Sequence, residues 1–184
     1  PRADLLRSTP TLELSSKLNL GDVVLDARAQ GGWADDALVS STKDLAVMEG
    51  GLRWSVSPGL SFDVGKRVQR WGKGYAWSPV AMVERPKDAS DPTASREGFV
   101  MATAEWTKTL SGPVSAVSLT GLLLPTDGQM NTDFGQTQDL NPAAKLYLLA
   151  WDTDIDLMWR AKGARPESFG VDFSRNLNTA LEIH

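Results

Sequence analysis

The 184 residues hold no cysteine and a single histidine, and no stretch of them is apolar for the length of a membrane-spanning helix. Without cysteine, neither a disulfide framework nor a thiolate site can form. The lone histidine is the last residue, His184, so a Ser-His-Asp relay has little to stand on. A helical span needs about 18 consecutive apolar residues, and their lack excludes a helical membrane protein. It does not touch a β-barrel, whose strands need only about 9–11 residues with alternate positions apolar. Positive charge is short as well: the formal net charge of −4 argues against a nucleic-acid partner, which would meet a basic face.

Tryptophan is plentiful, seven residues against two tyrosines. Its side chain suits places with one apolar and one wet end, such as bilayer interfaces and ligand clefts. Period-two alternation is the other signal. Ala46, Met48, Leu52, Trp54 and Val56 read as one face, with Glu49, Arg53 and Ser55 on the other. Beyond Pro58-Gly59 the pattern resumes with Leu60, Phe62 and Val64 against Asp63 and Arg67, which predicts a hairpin. Val100 to Leu110, Leu146 to Ala150, Ile155 to Ala161 and Phe169 to Ile183 alternate in the same way. Val114 to Leu124 is apolar on both faces and leaves its orientation open. About ten strands are expected, with one helical turn conceivable only over 91–97, where Asp91 precedes Pro92.

Connections alternate in length. Tight turns are expected at Asn19-Leu20-Gly21-Asp22, Ser57-Pro58-Gly59, Ser111-Gly112-Pro113 and Asp152-Thr153-Asp154, with long polar loops at 33–44, 70–97 and 125–141. Short turns on one rim and long loops on the other predict an antiparallel up-and-down transmembrane β-barrel. A soluble sandwich would scatter its loop lengths over both ends. On the barrel reading, Glu49, Arg53, Asp63, Glu105, Asp156 and Arg160 line the lumen, and Trp54, Trp106 and Trp151 form an aromatic girdle near the short turns. The chain opens at Pro1 and stops within a strand pattern, so a single barrel domain spanning 1–184, truncated at both ends, is expected.

Residues 64–101 carry a more specific signature. A strand ending in Gly65-Lys66 leads into Trp71-Gly72-Lys73-Gly74-Tyr75 and then into Arg85-Pro86-Lys87-Asp88. This block resembles one in porin-like outer-membrane proteins of Gram-negative bacteria. The resemblance covers about 40 residues and implies a passive or substrate-selective channel in the outer membrane, embedded in a lipid bilayer and needing no cofactor.

The loop 70–97 is rich in groups that resist water, among them Trp71, Tyr75, Trp77, Val80, Met82 and Val83, so it is expected to fold inward at the barrel mouth. Its charges then suggest a pore constriction built from Lys66, Arg67, Arg70, Lys73, Glu84, Arg85, Lys87 and Asp88, with its basic members favouring small polar or anionic solutes. An equally physical reading pairs these charges with one another to pin the loop.

Apparent catalytic motifs do not survive inspection. Gly72-Lys73-Gly74 lacks the third glycine of a dinucleotide loop, since position 77 is tryptophan, and no Gly-Lys pair is followed by Ser or Thr. Asp152, Asp154 and Asp156 have calcium-loop spacing, but the sixth and twelfth positions are Leu157 and Gly163. No metal site and no enzyme activity are expected. Two rival readings stay open: a soluble carbohydrate-binding β-module, and an outer-membrane barrel with a structural or adhesive role. Oligomeric state is not readable from the sequence.

Overall fold

Alternation at period two can only be buried on one side by a sheet, and the computed structural model is one antiparallel sheet in which each strand bonds its sequence neighbours. It describes residues 11–36, 39–72, 79–86, 95–178 and 181–183, and no helix occurs among them. The strands are β1 (Thr11–Leu20), β2 (Val23–Asp36), β3 (Val39–Ser57), β4 (Leu60–Arg67) and β5 (Phe99–Thr109). They continue as β6 (Val114–Thr126), β7 (Asp139–Ala150), β8 (Thr153–Arg160), β9 (Ser168–Asn178) and β10 (Leu181–Ile183). β1 and β10 are the edges; among the described residues no ladder joins them, so the sheet is open.

Short turns join β1 to β2, β3 to β4, β5 to β6 and β7 to β8 on one rim, and the connections after β4, β6 and β8, at the other rim, are longer. The expected loop at 33–44 is corrected: β2 and β3 run on as a ladder that pairs Trp33 with Lys43 and Asp36 with Val39. Backbone pairing outweighs the polar composition of that stretch. The turn expected at 152–154 also moves, because Thr153 already pairs with Ala150. Trp151 and Asp152 both take positive φ, at 52° and 56°, the geometry that matches a two-residue hairpin to strand twist.

The two faces of the sheet differ sharply. One row of cross-strand partners runs Leu18, Leu25, Leu52, Val64, Ala102, Leu123, and its large members are exposed. Along β3 the exposed apolar positions are Leu45, Val47, Leu52, Trp54 and Val56. The alternation through Ala46 and Met48 is therefore corrected. A register shift where β3 passes Arg28 and Ala29 reverses the faces there, leaving Met48 buried. The opposite face carries Asp26, Arg53, Asp63, Arg67, Thr103 and Glu105, and a cleft of about 540 Å³ opens on it across β1 to β6.

The register is staggered. A lateral row can be followed from Leu20 through Val23, Trp54, Phe62, Ala104, Gly121, Ala144 and Trp159 to Phe169. Leu20 ends β1, whereas Phe169 lies well before the end of β9 at Asn178. A climb of about nine residues over about eight strand spacings, at ~3.3 Å and ~4.8 Å each, is a strand tilt of roughly 38°. Closed barrels have tilts of about 35–45°.

The loop after β4 returns over the charged face. Trp71, Met82 and Val83 are buried there with Phe99, Met101, Leu122, Leu124, Phe134 and Met158, so the upper parts of β5 to β8 carry a dry cluster beneath the loop. This settles the orientation of β6: Leu119 and Leu123 are exposed on the apolar face, and Leu122 and Leu124 are covered by the loop.

Candidate functional site

Arg67 organises the cleft. Its Nε donates to Asp63 at 2.5 Å, while Nη1 and Nη2 donate to the two oxygens of Asp26 at 2.5 and 2.9 Å. Asp63 also accepts from Arg53 Nε at 3.0 Å. Asp26 stands on β2 and Arg67 on β4, so the guanidinium must cross β3. Gly51 of β3 lies between them, paired with Asp26 on one side and Gly65 on the other. A Cβ on Gly51 would collide with the Val64 carbonyl, and one on Gly65 with that of Gly50. Gly65 has φ of 146°, which L residues rarely adopt. The two glycines thus let β3 and β4 approach backbone to backbone, and a bidentate ion pair spans β3 beside them.

The ladder continues toward β1. Glu49 pairs with Arg28 at 2.8 Å and accepts the Val68 backbone N–H at 3.0 Å, and Arg28 also reaches Glu13 at 3.8 Å. Toward β5 and β6 the lining becomes hydroxyls, with Ser61, Thr103 and Thr120 around the exposed Glu105. Further on, Lys145 stands 3.7 Å from the buried Asp156.

The residues expected to form one constriction do not converge. Arg67 is in the cleft, but Lys66 faces the other way and pairs with Glu97. Arg85 caps the Phe99 ring at 4.5 Å and pairs with Asp133. Glu84 is buried under Arg96 and accepts the Trp71 N–H at 2.6 Å, tying the two limbs of the loop together. Arg70 is exposed; Lys73, Lys87 and Asp88 lie outside the described residues, as do Tyr75, Trp77, Asp91, Pro92 and His184.

Glu49, Arg53, Asp63, Glu105, Asp156 and Arg160 share the charged face in the strand register, but Arg160 is a strut. It donates to the carbonyls of Met82 at 2.7 Å and Pro166 at 2.8 Å and to Ser168 Oγ at 3.0 Å, so it fastens the loop to β8 and β9. Trp54, Trp106 and Trp151 are all exposed near the short-turn rim, with Trp54 tilted against Phe62 at 6.1 Å. Trp159, donating to Glu167 at 2.9 Å, is a fourth exposed tryptophan, near the other rim. Sequence reasoning missed Asp26 and Arg28, although their alternation with Leu25 and Ala27 places them opposite the apolar row.

No metal-holding group of three His, Asp or Glu side chains comes together among the described residues. No protein-family model, curated protein or solved structure matches the chain.

Proposed function

We propose that this chain forms the wall of a porin-like β-barrel in a Gram-negative outer membrane, through which small polar solutes pass without chemical conversion. The observation that carries this reading is the uncovered apolar face, which runs across the sheet while the charged face is the one that holds the cleft. A soluble monomer rarely exposes an apolar patch beyond about 300–600 Å². From Leu45 to Val56 alone the face spans about 36 Å of strand, or roughly 28 Å of height at the tilt above, close to the ~25 Å band of an outer-membrane barrel. The roughly 38° stagger supports the same reading, because strands must tilt to close. The Trp-Gly-Lys-Gly-Tyr block and its inward-lying loop add the resemblance to porins.

In a soluble carbohydrate-binding module the Leu, Val and Phe rows would be core, and their exposure speaks against it. The structural or adhesive barrel keeps one observation in its favour, the apolar cluster beneath the loop, which fills part of the charged face. Reconstitution of the full-length protein in planar bilayers separates the two. A channel gives discrete conductance steps in KCl; a filled structural barrel inserts into the bilayer and stays silent. A protein that remains monomeric in buffer without detergent would overturn both.

A further inference from the structure

We infer, resting on the channel reading, that the charged face favours cations over anions and that Glu105 sets this preference. Three cations of the expected basic constriction are taken up by partners. Arg67 is spanned by Asp26 and Asp63, Lys66 is held by Glu97, and Arg85 by Asp133. What a solute meets in the cleft is four carboxylates, Asp26, Glu49, Asp63 and Glu105, against three cations, Lys17, Arg53 and Arg67. Arg28 and Glu13, which extend the ladder at β1, add one charge of each sign.

Three of the four carboxylates are engaged: Asp26 and Asp63 by arginine, Glu49 by Arg28. Glu105 is exposed, touches only the Thr107 hydroxyl at 3.4 Å, and among the described residues no cation stands within ion-pair distance of it. Its neighbours in the register, Ser61 and Thr120, are neutral hydroxyls, and the next residue along that row, Lys145, stands beside Asp156 at 3.7 Å. The loop cluster covers the upper parts of β5 to β8 and leaves Glu105, lower on β5, uncovered. A carboxylate left unpaired at a narrow aqueous wall raises the local concentration of cations and lowers that of anions.

The test is the reversal potential of the full-length protein in a planar bilayer under a KCl gradient. The expected potassium-to-chloride permeability ratio is roughly two to five, falling toward one in Glu105→Gln and below one in Glu105→Lys. Because the chain has no cysteine, Glu105→Cys adds an independent readout. A cationic methanethiosulfonate should shift its ratio toward chloride, whereas Met158→Cys, beneath the loop, should not respond. Conductance with a chloride preference in the unaltered protein, or a ratio indifferent to Glu105→Gln, overturns this inference and leaves the channel reading standing. Insertion without conductance overturns both.

Discussion

The charged face is two surfaces joined along β5. Over β1 to β4 it is a wet ladder in which Asp26, Arg53, Asp63 and Arg67 satisfy one another around a cleft. Over the upper parts of β5 to β8 the same side of the sheet carries Phe99, Met101, Leu122, Leu124 and Met158 and is roofed by Trp71, Met82 and Val83. Both halves obey one alternation rule. The loop makes the difference: it crosses from the end of β4 to Arg160 and turns a solvent-facing row into an interior one. A face in a β-wall is thus wet or dry according to what lies over it, and its residues follow.

The sharpest way to break that contrast is to remove the roof. Trp71→Ala should cost about 3–5 kcal/mol, as for other buried aromatic truncations. Denaturant unfolding from lipid vesicles would measure it, and a loss below about 1 kcal/mol would mean that the dry half does not depend on the loop. The outward face offers the next largest effect. Leu52→Arg should destabilise the inserted protein by about 2–4 kcal/mol, the range for a cation facing mid-bilayer lipid. The same substitution in a water-facing surface would be nearly silent, so vesicle-refolding titrations decide between lipid and water.

Within the wet half, Arg67→Ala takes from Asp26 its bidentate partner and leaves Asp63 with Arg53 alone. A fully buried pair broken in this way costs about 3–5 kcal/mol. The open cleft lets water relieve part of that, so about 2–3 kcal/mol is expected. Arg67→Lys should recover little, because an ammonium cannot bridge both carboxylates as the guanidinium does.

The smallest effect lies in the loop after β6. The Asp127 carboxyl is held below its ordinary value because its oxygen accepts the backbone N–H groups of Gln129 and Met130, each at 2.7 Å. Its contribution is therefore present above the unfolded carboxylate value, near pH 4, and is lost as pH falls through the lower folded value. Protection of the Gln129 and Met130 amides, taken relative to intrinsic exchange at the same pH, should fall below about pH 4 in the native protein and be absent at every pH in Asp127→Ala. Protection that does not change with pH in the native protein would show the turn to be held by something else.

Strand existence and order were legible because alternation and turn residues are local signals. The hairpins around Pro58-Gly59 and Gly112 stand where they were expected. The extension of β2 and β3 was not legible, because pairing between Trp33 and Lys43 is a property of two strands and not of either alone. The Met48 face reversal escaped for a similar reason: one extra residue inverts a period-two reading without changing composition. Among site residues, the charged row from Glu49 to Asp156 was readable from parity. The partners were not. Asp26 lies 41 positions from Arg67 in sequence, and only the packing of β2, β3 and β4 side by side brings them together.

The bridge over β3 also has a mechanical meaning. The Arg67–Asp26 link joins β4 to β2, two strands that share no ladder with each other. A tie of fixed length limits how far β2 and β4 can swing apart about β3, so the spread of these three strands is held by side chains as well as by the ladders.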